Sequence, residues 1–145
     1  MRLSNLPRPL VRGALAAATA AALLTALTGC SEEKETMAGW SKKGGGDHAT
    51  AIAQDVKTLL QASGSSPANA GDCRRVLDDV KAAKAFRTVP DEIARTSWEQ
   101  ALDQMEVVAT KCVSNSGTTL SEVIPAQTSF HLFADRYSQL LGSAR

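Results

Sequence analysis

A chain of 145 residues, 43% hydrophobic and 21% charged, has room for one domain. With Arg2, Arg8 and Arg12 of the leading segment set aside, 13 of the 16 basic residues face 15 acidic ones, a net charge of −2. That near balance gives no strong field for polyanions, and no basic cluster is interleaved with aromatic residues, so nucleic acid is not an expected partner.

The first 30 residues follow the plan of an export signal: a basic start at Arg2, Arg8 and Arg12, an apolar run from Gly13 to Leu27, then small residues. A membrane-spanning helix needs about 20 apolar residues. This Ala-rich run is shorter and carries Thr19 and Thr25, so cleavage is expected rather than a span. No twin arginine occurs, which points to general secretion.

The run ends in Leu27-Thr28-Gly29-Cys30: an aliphatic residue, a small one, a glycine and a cysteine. This tetrad resembles the lipobox of bacterial lipoproteins at every position. The resemblance implies that the Cys30 thiol receives a diacylglyceryl group and that a signal peptidase cuts between Gly29 and Cys30. It also implies that the new amino group is open to a further acyl chain such as palmitate. More than one acyl chain gives the stable anchor that one chain does not. The implied location is the extracytoplasmic face of the cell membrane, with residues 1–29 discarded.

Ser31 to Gly46 reads SEEKETMAGWSKKGGG, polar, charged and finally glycine-only, without helical or strand period. Residues 30–46 are therefore expected to form the lipidated cysteine and a flexible tether, with a reach of about 50 Å at roughly 3.4 Å per residue. Trp40 stands beside Lys42 and Lys43, either as a headgroup contact or as a solvated linker residue.

Residues 47–145 show apolar positions spaced alternately by three and four, the mark of helices with one buried stripe. The first stripe begins after a capping residue, Asp47, and runs through Ala49, Ile52, Val56, Leu59 and Leu60 to Gly64. The second is Cys73, Val76, Leu77 and Val80, with Asp72 as cap and Lys84 near the end, where the stripe reaches water. The third opens with Pro90 in the first turn, then Asp91 and Glu92, and carries Ala94, Trp98, Leu102, Met105, Ala109 and Cys112. The fourth starts near Ser121 or Pro125 and carries Ala126, Phe130, Phe133, Tyr137 and Leu140, ending at Gly142. Such helices predict an all-α, antiparallel up-down-up-down four-helix bundle, or a three-helix core with a loose first helix.

With Cys30 assigned to lipid, Cys73 and Cys112 remain, in a compartment that permits oxidation. Each lies on a buried stripe, and an antiparallel hairpin brings the start of helix two to the end of helix three, so a disulfide is expected. Closing a loop of about 40 residues is worth roughly 4 kcal/mol on the chain-entropy estimate. Counting outward from a turn near Val89, the two cysteines are offset by roughly 12 Å at 1.5 Å per residue. Helix three must therefore start late, bend or cross at an angle.

Catalytic signatures are absent: there is no Gly-x-Ser-x-Gly, no His-Glu-x-x-His, and no strand leading into Gly44-Gly45-Gly46. No enzyme activity and no cofactor are expected. His131 and Asp135 lie one turn apart, and His48 with Asp47 could complete a weak metal site if helices one and four were neighbours. Otherwise these are solvated surface residues, as Asp78 and Asp79 are expected to be. Trp98, Met105, Phe130, Phe133 and Tyr137 either line an apolar ligand pocket or pack the core. Val107 and Leu132 project away from their stripes and are candidates for a partner-binding surface. The expected role is a non-catalytic binding or interaction module facing an envelope protein or other envelope component. The alternative is a carrier for a small ligand or metal.

Overall fold

The computed structural model describes residues 34–64, 70–114 and 118–143; the expected export signal and the Leu27–Cys30 tetrad lie outside them. The described residues are helical, with no strand: α1 (Met37–Trp40), a π turn (Ser41–Gly45), α2 (Gly46–Gly64), α3 (Ala70–Ala85), α4 (Glu92–Val113) and α5 (Leu120–Gly142). Helix α2 packs on α3, α3 on α4, α4 on α5, and α5 returns to α2, while the α2–α4 diagonal barely touches. This ring is the four-helix bundle that the stripes predict.

The stripes are the core. Ile52, Val56 and Leu59 of α2, Val76 and Val80 of α3, Leu102 and Met105 of α4, and Val123 and Phe133 of α5 are all buried. Lys84, where the α3 stripe reaches water, keeps its stem along the bundle and pairs with Asp103 and Glu106 of α4.

Three helix starts differ from expectation: α2 opens at Gly46 and α3 at Ala70, so Asp47 and Asp72 lie inside the first turns they were expected to cap, and α4 opens later than expected. Pro90 precedes α4 rather than entering its first turn, because Asp91 is the cap: its carboxylate accepts the Ala94 N–H at 2.9 Å. Arg136 of α5 grips the same carboxylate at 3.1 and 2.9 Å, so one aspartate both starts α4 and joins it to α5. These bonds hold the Asp91 carboxyl below its usual range, the Arg136 hydrogen bonds contributing most. Helix α5 begins at Leu120, beside Ser121, the earlier of the two expected starts, where Glu122 reaches back to accept the Thr119 N–H at 3.0 Å. With the first turn anchored by that capping box, Pro125 is accommodated inside the helix.

The largest departure is the expected tether. Residues 35–46 are folded into the bundle. The Thr36 hydroxyl caps α1 by accepting the Gly39 N–H at 3.1 Å. Trp40 follows at 1% exposure, its indole N–H donating to the Arg87 carbonyl at 2.9 Å. Ser41 shares a hydroxyl hydrogen bond with Tyr137 of α5. The glycines are what permit this path. Gly44 has φ of 115°, a conformation that side chains disfavour, and a Cβ on Gly45 would overlap the Trp40 ring. A glycine triplet that reads as a linker is therefore a kink tailored to seat an indole, and Trp40 cannot serve as a headgroup contact.

The bundle has two distinct ends. At one, α1, the start of α2, the end of α3, the start of α4 and the end of α5 converge through the Trp40–Arg87, Ser41–Tyr137 and Asp91–Arg136 contacts. At the other, Cys73 and Cys112 stand with Cα atoms 5.9 Å apart and form the expected bridge. The sequence offset between these cysteines is absorbed at the first end. Residues 86–91 between α3 and α4 can extend about 20 Å, enough to climb to the start of the longer helix. Replacing both cysteines with alanine is expected to lower stability by about 3 kcal/mol, somewhat under the chain-entropy figure because unfolded chains retain compactness. Urea titrations of the oxidised and doubly substituted proteins would read this directly; coincident midpoints would refute it.

Candidate functional site

Among the described residues, no group of three His, Cys, Asp or Glu is placed to hold a metal ion. His48 lies against the Phe86 ring at 4.7 Å, and His131 is exposed on α5 with its Nε2 3.4 Å from the Gln127 side-chain nitrogen. Although α2 and α5 are neighbours, the Asp47–His48 and His131–Asp135 pairs do not converge into a metal site. The weak metal candidates are thus not brought together.

The aromatic residues of α4 and α5 do converge, but around a residue of their own chain. Trp40 meets Trp98, Phe133, Tyr137 and Phe86 edge-on, with centroids 6.3, 6.4, 6.1 and 6.1 Å away. Trp98 and Phe133 are tilted against each other at 4.6 Å. Edge-to-face packing is the favoured arrangement for such rings. The apolar ligand pocket offered as one reading of these residues is filled by the Trp40 indole, and the core-packing reading is the correct one.

A second cluster lies between α2 and α3. Asp55 is 2% exposed, and its Oδ2 has no hydrogen-bond partner among the described residues. Burial, together with the negative charge of Asp79 and a shared hydrogen bond with it, raises its carboxyl to about 7, while Arg75 opposes the rise. Asp79, expected as solvated surface, is half-buried and faces this acid. The sequence did hold a signal: Asp55 is three residues after Ile52 and four before Leu59, squarely on the α2 stripe.

The outer face of α4 and α5 is where apolar side chains meet water. Val107 and Leu132 are 58% and 57% exposed, as their positions off the stripes imply, and Leu120 and Ile124 of α5 are exposed as well. A shallow groove of about 320 Å³ runs between the two helices, with Gln104, Val107, Val108, Lys111, Glu122 and Pro125 in its walls. Lys111 and Glu122 pair across it, and this ion pair, with the Thr119 N–H, holds the Glu122 carboxyl down to about 2. Ser129 donates to the Gln104 side-chain oxygen at 3.0 Å, bracing the same helix pair. These contacts tie α4 to α5 while leaving Val107 and Leu132 exposed.

No protein-family model, curated protein or solved structure matches this chain. Among the described residues, no helix is long and apolar enough to cross a membrane. What the fold itself defines is a small disulfide-bridged helical bundle.

Proposed function

We propose that this chain is a lipid-anchored lipoprotein of the cell envelope, held through Cys30 on the extracytoplasmic face of the membrane, and that it binds an envelope partner without catalysing a reaction. The address rests on the Leu27-Thr28-Gly29-Cys30 tetrad and the export-like segment before it. A disulfide pair suits that compartment, since reducing cytosol disfavours such bridges. The binding role rests on one observation above all: the apolar groove between α4 and α5 with Val107 exposed in its wall, on a helix pair that also leaves Leu132 exposed.

Photo-crosslinking side chains installed at Val107 and at Leu132 in living cells should give discrete adducts of higher mass. The same probes at Lys57 of α2 and Lys81 of α3, both exposed, should not. Equal labelling at all four positions, or none at any, would remove the binding role. Separately, Cys30→Ser should leave the precursor uncut and lipid-free. Normal processing of that variant would remove the address.

A further inference from the structure

We infer that the Trp40 end of the bundle is a membrane-apposed face that docks on anionic phospholipid headgroups, so that the end of α4 and the start of α5 point away from the lipid. This rests on the reading of Cys30 as the lipidated residue, and it follows from the folding of residues 35–46.

A free tether of 16 residues would let the bundle stand about 50 Å from the surface. With that segment folded, only three residues separate Cys30 from Lys34, a span of at most about 14 Å over four Cα–Cα steps. Helix α4 alone, 22 residues at 1.5 Å each, is about 33 Å long. A bundle longer than its leash cannot turn its far end to the surface. The chain also enters the bundle at a defined place: Lys34, Thr36 and Met37 border a cleft of about 420 Å³ whose other wall is Pro90, Asp91 and Leu140. The face presented to the lipid therefore includes the start of α4 and the end of α5.

Its lysines can meet phosphate headgroups. Lys34, Lys42, Lys43 and Arg87 are all exposed at or beside this end, as are the acids Asp47 and Glu92 in the first turns of α2 and α4. Glu35 engages Lys43 and Arg87, leaving Lys42 with no ion-pair partner among the described residues. Charges held within a Debye length of about 8 Å feel the surface potential of an anionic leaflet. The short leash is what keeps them there.

The test uses the full lipidated protein in vesicles of phosphatidylglycerol and phosphatidylcholine carrying a paramagnetic headgroup, with intact mass measured on the same sample. Amide signals of Lys42, Arg87 and Asp91 should broaden strongly and those of Lys111 and Leu120 should not. Inserting about twelve Gly/Ser residues before Lys34 should weaken that broadening. With the spacer present, Lys42→Gln should weaken the remaining surface association roughly fivefold, an effect that vanishes in pure phosphatidylcholine. If the mass shows no lipid on Cys30, both the address and this inference fall. If lipid is present but broadening is uniform, absent or confined to the far end, the apposed face is overturned while the address survives.

Discussion

Replacing Trp40 with alanine will cost about 4 kcal/mol, the range for an aromatic residue truncated in a packed core. The substitution removes the ring at the meeting point of Trp98, Phe133, Tyr137 and Phe86, and it strips the Arg87 carbonyl of its indole donor. For a domain of this size that is a large share of total stability. A chain beginning at Asp47, where the apolar periodicity begins, should fare worse still, because it loses Met37 and the Ser41–Tyr137 contact as well. Gly45→Ala should reproduce much of the Trp40 loss without touching the ring, since the new methyl would occupy its place. Denaturant midpoints for these chains, compared with one beginning at Lys34, provide the measure. Equal stability of the Asp47 and Lys34 chains would show that residues 35–46 contribute nothing.

Stability should also fall as the pH rises from about 4 to about 7, the reverse of ordinary acid denaturation. Asp55 has a folded value near 7 against 3.8 for the free side chain. Between these limits the native state holds a proton that the unfolded chain has released, so each rise in pH favours unfolding. Above about 7 both states are ionised and the dependence flattens. At 1.36 kcal/mol per pH unit the full excursion is roughly 4 kcal/mol as a ceiling. Asp55→Asn keeps the shape without the titration, and its amide can donate to Asp79. The variant should match the native protein near pH 4, exceed it by a few kcal/mol near pH 8, and show no slope between. An unchanged slope in the variant would assign the dependence to other groups. Asp79→Asn removes the facing negative charge and should shift the native transition toward lower pH without abolishing it.

Four helices, their buried faces and the cysteine pairing were legible because each depends on local spacing. Ile52, Val56 and Leu59 fall on one side of α2 whatever they pack against, and Cys73 and Cys112 fall on the stripes of α3 and α4 for the same reason. The exposure of Val107 and Leu132 was legible by the same rule, since a residue off the stripe faces outward. Asp55 was legible in principle and missed, because polar residues on a stripe are read as boundary positions unless a partner can be named. Its partner, Asp79, belongs to a different helix, and only packing brings the two together.

The short-range pattern of residues 47–142 by itself determined an all-helical bundle, since amphipathic helices of this length are stable only with their apolar faces together. It could not determine the fate of residues 35–46. A lone tryptophan among lysines and glycines has no periodicity, and nothing within a few residues of it favours burial. Only the assembled bundle does that, by opening a space at one end bordered by Phe86, Trp98, Phe133 and Tyr137 and offering the Arg87 carbonyl to the indole N–H. These partners lie 46 to 97 residues away in the chain, beyond the reach of local pattern, and the apolar area they bury together is what turns a sequence resembling a linker into the keystone of the core.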